Sequence, residues 1–340
     1  MSCRNYVESA RFSSLFIAVN NSGLYTYILE NTLKNCAEDA EFGVILPSAC
    51  TSTPRMAPFQ NYLINVTENV RFAIFDDRPG KLFLRLQHMR AAIITGKKGK
   101  RESKNIETTK YVRWFSEERK QLFDRIQYAE TSYYDLVEGN IPKVGNQIEN
   151  KIIEKVFSCK RTVEDYIDES HVDNGIYYGY GVQYWIKAMY KSADEIDVGA
   201  RKSTGEKEMH FDYSVDSKIF SLILNSNLFY WYFVLFSDCR NLTRTVISRF
   251  PIDIEAISSE NKEMLVKLSE ELLEDYIHNS NLKTANYVGK GEIVYREYSV
   301  RKSKPLIDKA DKILGDIYGL TDDEISFVQN YDVKFRVGED

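Results

Sequence analysis

LNSNLFYWYFVLFSDCRN, residues 224–241, decides how the chain is read. Nine apolar or aromatic residues run unbroken from Leu228 to Phe236, and the sequence then turns polar with Ser237, Asp238, Cys239, Arg240 and Asn241. A membrane-spanning helix needs about 20 consecutive apolar residues, so this run is too short to be one. Helical spacing over 217–236 places Phe220, Ile223, Leu224, Phe229 and Phe233 on overlapping apolar faces, the pattern of a buried helix. From Ser237 to Arg249 the chain carries Arg240, Arg244 and Arg249 against one acid, Asp238. Two readings of these arginines stand: contacts to phosphates and base edges at a helix end and its loop, or pairs with local acids.

The bulk properties exclude some classes. The N-terminal MSCRNYVESARFSS has no apolar core of signal-peptide length. The five cysteines (3, 36, 50, 159 and 239) are odd in number and lack C-x-x-C spacing. That argues against a disulfide framework or a structural zinc site and suits a reducing cytoplasm. At 340 residues, the chain has room for about two domains. A net charge of −5 does not decide for or against nucleic acid, because binding depends on local patches.

Working outward, SGLYTYILENTLKN (22–35) has helical spacing with Ser22 as its expected N-cap, and FGVILP (42–47) is a short buried strand closed by Pro47. A helix followed by a buried strand is half of an α/β repeat. FQNYLI is helical; RFAIF (71–75) and RAAIIT (90–95) are further strands, with Phe72 and Phe75 read as core. KKGKRESK (97–104) reads as a solvated loop or a phosphate-contacting one. Residues 111–130 read as a charged amphipathic helix with Trp114, Phe115, Leu122, Phe123 and Ile126 inward. GNIPKVGN (139–146) reads as a domain boundary, and a helix follows over 147–157. GIYYGYGVQYWIKAMY (175–190) becomes strand-like, and 191–210 reads as a polar surface loop. Long helices are expected over about 259–278, with Met264, Leu265, Leu268, Leu272 and Ile277 on one side, and over 304–320, the second stopped by Gly319, with Thr321 and Glu324 offering a capping box to the next.

The dinucleotide-binding, P-loop, H-E-x-x-H and G-x-S-x-G patterns are all absent from the sequence. The four histidines show no ligand spacing. No catalytic, cofactor-binding or metal-ligating residue is assigned.

Four stretches nevertheless carry a resemblance: SGLYTYILENTLK with EFGVILPSACTSTPRM, RFAIFDDRPGKLF with TTKYVRWFSEERKQLF, YYGYGVQYWIKA with LNSNLFYWYFVLFSDCRNLTRTVISRFP, and KSKPLIDKADKILGDIYGLTDDEISFVQNYDVKFR. In this order they resemble the C-terminal half of adenine-specific DNA methyltransferases of the type IIG restriction–modification kind and their phage-defence relatives. The resemblance implies an α/β fold: a partial Rossmann-like methyltransferase sheet over 1–138, a mixed α/β target-recognition domain over 139–256, and a C-terminal helical segment over 257–340. It implies double-stranded DNA as the partner and S-adenosylmethionine as the cofactor. Family members use a glycine-containing loop for the cofactor and an N-P-P-Y or D-P-P-Y loop for a flipped adenine. Neither loop occurs in this sequence; both are expected ahead of residue 1, in an N-terminal half or partner subunit that binds the cofactor. The open edge of the sheet is to be covered by that partner or by a rebuilt N-terminal segment over residues 1–20, and association with the partner is the expectation. The expected DNA contacts are Lys187, Arg201, Lys202, Arg240, Arg244 and Arg249. The alternative is a non-catalytic DNA-specificity or interaction module, or an inactive fragment.

Overall fold

The computed structural model describes residues 17, 23–83, 89–100, 105–197, 205–287 and 291–338. The protein is a mixed α/β chain that divides into two compact units, Met1–Ile153 with Val234–Asp238, and Glu154–Phe233 with Cys239–Asp340. Among the described residues, no single helix is long and apolar enough to cross a membrane.

The first unit is built on a five-stranded sheet in the order β1-β3-β2-β4-β5, from Glu41–Pro47, Ala91–Lys98, Thr67–Phe75, Ile106–Thr108 and Ala129–Thr131. Helix α1 (Leu24–Asn35) precedes β1, and α2 (Ala57–Asn65) joins β1 to β2. The N-cap of α1 is Gly23; the expected cap, Ser22, lies outside the described residues. Strand β3 runs antiparallel to both β1 and β2, so those two run parallel to each other across it. Phe72 and Phe75 are both buried, as their apolar context requires.

The expected helix over 111–130 does not form. Val112 instead bridges Phe75 in parallel, the Gly80 amide donates to the Trp114 carbonyl at 2.8 Å, and only Ser116–Gln121 makes a short 3₁₀ turn. The aromatic positions answer to the sheet rather than to a helical face: Trp114 packs edge-on against Phe75, while Phe123 is 60% exposed. Helical periodicity was present, but a parallel partner strand was available and claimed the backbone hydrogen bonds.

At the carboxyl end of β2, Asp76 receives Arg113 at 2.8 Å and Arg90 at 3.1 Å. Burial pushes the Asp76 carboxyl up, but the two guanidinium groups outweigh this and hold it below the ordinary carboxylate range. The Gly- and Pro-containing stretch 139–146 is not an open linker. Gln60 Nε2 donates to the Gly139 carbonyl at 2.9 Å, and the Ile141 amide donates to the Thr51 carbonyl at 2.8 Å. Lys143 is buried, and its ammonium donates to the carbonyls of Leu235 and Ser237 at 3.2 and 2.8 Å. A cation at the last carbonyls of a helix is favourable with respect to the helix dipole. Helix α3 (Gln147–Val156) follows.

In the second unit, β6 (Gly175–Gly179) is the middle strand of an antiparallel sheet in the order β7-β6-β8, with β7 at Ala188–Met189 and β8 at Glu206–His210. One turn of helix, α4 (Ala193–Ile196), lies between β7 and β8. The aromatic run does not continue one helix from 217 to 236. It breaks into α5 (Ser217–Asn225) and α6 (Asn227–Phe236), bent by 68° at Ser226. The sequence Asn-Ser-Asn explains the break, because short polar side chains compete for backbone hydrogen bonds. Ser226 takes an extended conformation, and its Oγ accepts from the Phe229 amide at 3.0 Å, the geometry of an N-cap.

Asn225 then uses both ends of its amide. Its Nδ2 donates to the Ala188 carbonyl at 2.6 Å and the Ser221 carbonyl at 2.8 Å; its Oδ1 accepts from the Ala188 amide at 3.1 Å and the Tyr276 hydroxyl at 3.0 Å. A short α7 (Arg244–Ser248) precedes α8 (Ser259–His278), which is capped by Ser258 and buries Leu265, Leu268 and Leu272 of its expected apolar side, while Met264 of that side is 40% exposed and Ile277 half-buried. The hairpin β9–β10 (Ser280–Tyr287 and Gly291–Tyr298) leads to α9 (Lys304–Tyr318), α10 (Asp322–Gln329) and α11 (Val333–Arg336). Gly319 ends α9 in the left-handed conformation at φ 66°, and Thr321 with Glu324 forms the expected capping box.

Asp311 of α9 caps α6, accepting from the Leu228 amide at 3.0 Å and Asn227 Nδ2 at 2.5 Å. Its burial raises the carboxyl to about 7, against the pull of those two hydrogen bonds. Arg336 donates to Asn227 Oδ1 at 2.6 Å and lies between the rings of Trp185 and Tyr230, 3.9 and 4.1 Å from their centroids.

Asn225→Ala leaves both backbone groups of Ala188 without this partner in a buried site. The expected cost is about 1–3 kcal/mol, seen as a lower denaturant midpoint. An unchanged midpoint would show that the amide is not a structural tie.

Candidate nucleic-acid interface

The short sheet of the second unit sorts its side chains by charge. In the β6–β8 register, Tyr177 stands opposite Glu208, Tyr178 opposite Lys207, and Gly179 opposite Glu206. Alternation along a strand therefore puts Glu206 and Glu208 on the Tyr177 side and Lys207 on the Tyr178 side. The ionic environments agree. Burial first, then Glu195, Glu208 and Glu206, raise the Tyr177 hydroxyl. The Lys207 ammonium sits 5.8 Å from the centre of the Tyr180 ring, two residues beyond Tyr178.

Beyond β6 the chain continues as one side of a short antiparallel ribbon. Gly181 bridges Asn241, the Val182 amide donates to the Arg240 carbonyl at 2.9 Å, and the Leu242 amide donates to the Tyr180 carbonyl at 2.7 Å. The Tyr180 amide donates in turn to the Gly205 carbonyl at 2.7 Å. Cys239, buried and left-handed at φ 56°, makes the sharp entry into this ribbon. Of the SDCRNLTR stretch expected on the surface, Ser237 is buried and the Asp238 carbonyl accepts from Arg90 Nη1 at 2.8 Å; exposure begins at Arg240.

The expected DNA contacts fall in different places. Arg240 is exposed on the ribbon. Arg244 opens α7 behind its Thr243 cap, and its guanidinium pairs with Glu169, which also receives His210 Nδ1 at 2.9 Å. This is the local acid pairing that formed the competing reading for the arginines. Burial raises the Glu169 carboxyl, but hydrogen bonds from His210 and Arg244 outweigh it and hold the group below its ordinary value. Arg249 is the half-buried C-cap of α7; its charge opposes the upward effect of burial on the Tyr232 phenol, whose hydroxyl donates to the Val246 carbonyl. Lys187 is half-buried, with its ammonium 4.2 Å over the Tyr298 ring, and desolvation lowers its pKa against the pull of Glu206. It belongs to the acidic side of the sheet rather than with Arg240. Arg201 and Lys202 lie outside the described residues.

Two residues of this surface were missed from the sequence, Tyr180 and Lys207. Residues 191–210 read as a loop, yet Glu206–His210 is strand β8. The alternating Glu-Lys-Glu was the available signal, since a period of two sorts charges only on a strand. No family model matches the chain, and no curated protein matches it.

Glu169 is depressed in the folded state, so its stabilising share is full above its unfolded pKa and is lost as pH falls through the lower folded value. The stability difference between the wild type and Glu169→Gln is expected to be present at pH 6 and to vanish on strong acidification. Thermal melts across that range measure it; a constant difference would contradict the pairing.

Proposed function

We propose that this chain recognises double-stranded DNA as the target-recognition part of a site-specific N6-adenine DNA methyltransferase of a restriction–modification or phage-defence system, acting in the cytoplasm. The observation that carries the DNA reading is the ribbon of residues 180–183 and 240–242, which presents Arg240 at the surface beside Tyr180 and Lys207, on a sheet whose acids Glu206 and Glu208 point to the other side. Arginine and lysine at such a surface neutralise phosphates, and arginine is also shaped for guanine O6 and N7.

The methyltransferase reading draws support from the first unit. β1, α2 and β2 form a unit with parallel ends, the arrangement from which α/β sheets are assembled. Among the described residues, strand β1 is an edge of the sheet, and Ile45 on it is 50% exposed. An apolar edge strand is a template for a further strand, which suits an N-terminal methyltransferase half or partner subunit. S-adenosylmethionine does not fit the described residues at the usual ligand position, outside the carboxyl ends of parallel strands. Asp76 and Asp77 occupy that end of β2, and Arg113 and Arg90 already engage them. The proposal therefore gives cofactor binding and methyl transfer to the partner.

Arg240→Ala tests the DNA reading in equilibrium binding to labelled duplexes over a range of salt. A base contact should cost about 1–3 kcal/mol on the preferred duplex alone; a phosphate contact should weaken all duplexes and reduce the salt slope by about one. Unchanged affinity and slope would reject it.

A further inference from the structure

Arg244 and Glu169 form an ion pair in which neither partner is enclosed: their side chains are 46% and 49% exposed. A pair this open is screened by water and holds its members weakly. The two ends are tied differently. Glu169 lies on the turn before β6, where the Asp168 amide donates to the His210 carbonyl at 3.0 Å, and the second oxygen of its carboxylate receives His210 Nδ1 at 2.9 Å. Arg244 opens the short α7 directly after residues 240–242 of the ribbon, on backbone fixed by the Thr243 cap. The guanidinium can therefore leave while the carboxylate stays in place on His210.

The Tyr178 hydroxyl shows which surface the pair belongs to. Burial pushes that hydroxyl up to about 12, Arg244 draws it down, and Glu169 and Tyr180 add to the rise. The pair and the Tyr180 side chain thus stand near one point on the Tyr178 side of the sheet. On that side Lys207 stands opposite Tyr178, and Arg240 stands opposite Val182. His210, opposite Gly175, belongs to the other side by alternation, so the Glu169 carboxylate sits at the end of the strands, within reach of both.

We infer that Arg244 is a phosphate contact of the DNA surface and that Glu169 is its internal competitor: the carboxylate holds the guanidinium in the free protein, and a backbone phosphate replaces it in the complex. This rests on the DNA reading above and adds a control built into that surface. Carboxylate and phosphate present the same paired acceptor oxygens to a guanidinium, so the exchange keeps its geometry. A phosphate contact carries no sequence information, so Glu169 lowers affinity for every duplex alike.

Equilibrium binding of the full chain to labelled duplexes over a range of salt tests this with Glu169→Gln, Arg244→Ala and the double variant. Glu169→Gln should bind every duplex about two- to fivefold more tightly, the range an exposed pair is worth. Its salt slope should not change, because the same phosphates are contacted. Glu169→Ala, which removes the carboxylate outright, should show the same gain. Arg244→Ala should weaken every duplex and reduce the slope by about one. In the Arg244→Ala background, Glu169→Gln should gain less, because the guanidinium it would release is gone. An equal gain in both backgrounds would show that the carboxylate acts only by its charge at a distance, and would overturn the inference while the DNA reading stands. Wild-type affinity and slope in Arg244→Ala would do the same. If the wild type binds no duplex at any salt concentration, both fall.

Discussion

One buried amide sets the geometry of the second unit. Asn225 takes both the carbonyl and the amide of Ala188, so the end of α5 meets β7 as a neighbouring strand would. Weakening the bonding of those two backbone groups in the interior would be costly, even though Ser221 Oγ also donates to the Ala188 carbonyl at 3.2 Å, and this ties β7 to the helix. β6 pairs with β7, β8 pairs with β6, and the ribbon from Tyr180 continues β6. The position of the exposed surface thus descends from a buried side chain. The same Asn-Ser-Asn stretch ends α5 and starts α6, where Asp311 accepts from the Leu228 amide. A carboxyl at a helix N-terminus is favoured by the dipole, even as burial raises its pKa.

Buried charge in this protein fixes geometry more than it adds stability. Arg113 with Asp76 in the first unit and Arg336 in the second are almost fully enclosed, and each is held by several partners at once. Desolvation offsets much of the attraction in such pairs. Their effect is directional: Arg336 holds α11 between Trp185 and Tyr230, and Asp76 with Asp77 holds Arg90 where it also reaches the Asp238 carbonyl. The more exposed Glu169–Arg244 pair is screened by solvent and contributes chiefly by placing Arg244 beside His210's partner.

Much of the scaffold was legible. FGVILP, RFAIF and RAAIIT are strands because continuous apolar runs bounded by turns leave little else, although FGVILP is not the buried strand expected, since Leu46 alone in β1 is buried; α8 and α9 follow from plain helical spacing and their caps. Two causes account for the misses: tertiary competition for the backbone, and local capping by short polar side chains. Residues 111–130 had a helical pattern, but β2 offered Val112 a parallel partner. Residues 217–236 had continuous helical faces, but Ser226 caps α6 locally through the Phe229 amide, while Asn225 finds in Ala188 a partner that only the folded unit supplies. At the surface, Arg240 was legible as a cation after a helix, whereas Lys187, a weaker candidate of the same kind, lies over Tyr298. Sequence shows charge; which side of a two-residue period it takes depends on a register set by distant residues.

Photo-crosslinking of the purified chain to iododeoxyuridine-substituted duplex, with mass-spectrometric mapping of the joined peptides, tests the central claim most directly. The account predicts crosslinks on the peptides that contain Tyr180 to Gln183 and Lys207, competed away by unlabelled duplex. Crosslinks confined to the first unit, or none at all at concentrations that saturate a known DNA-binding protein, would contradict it.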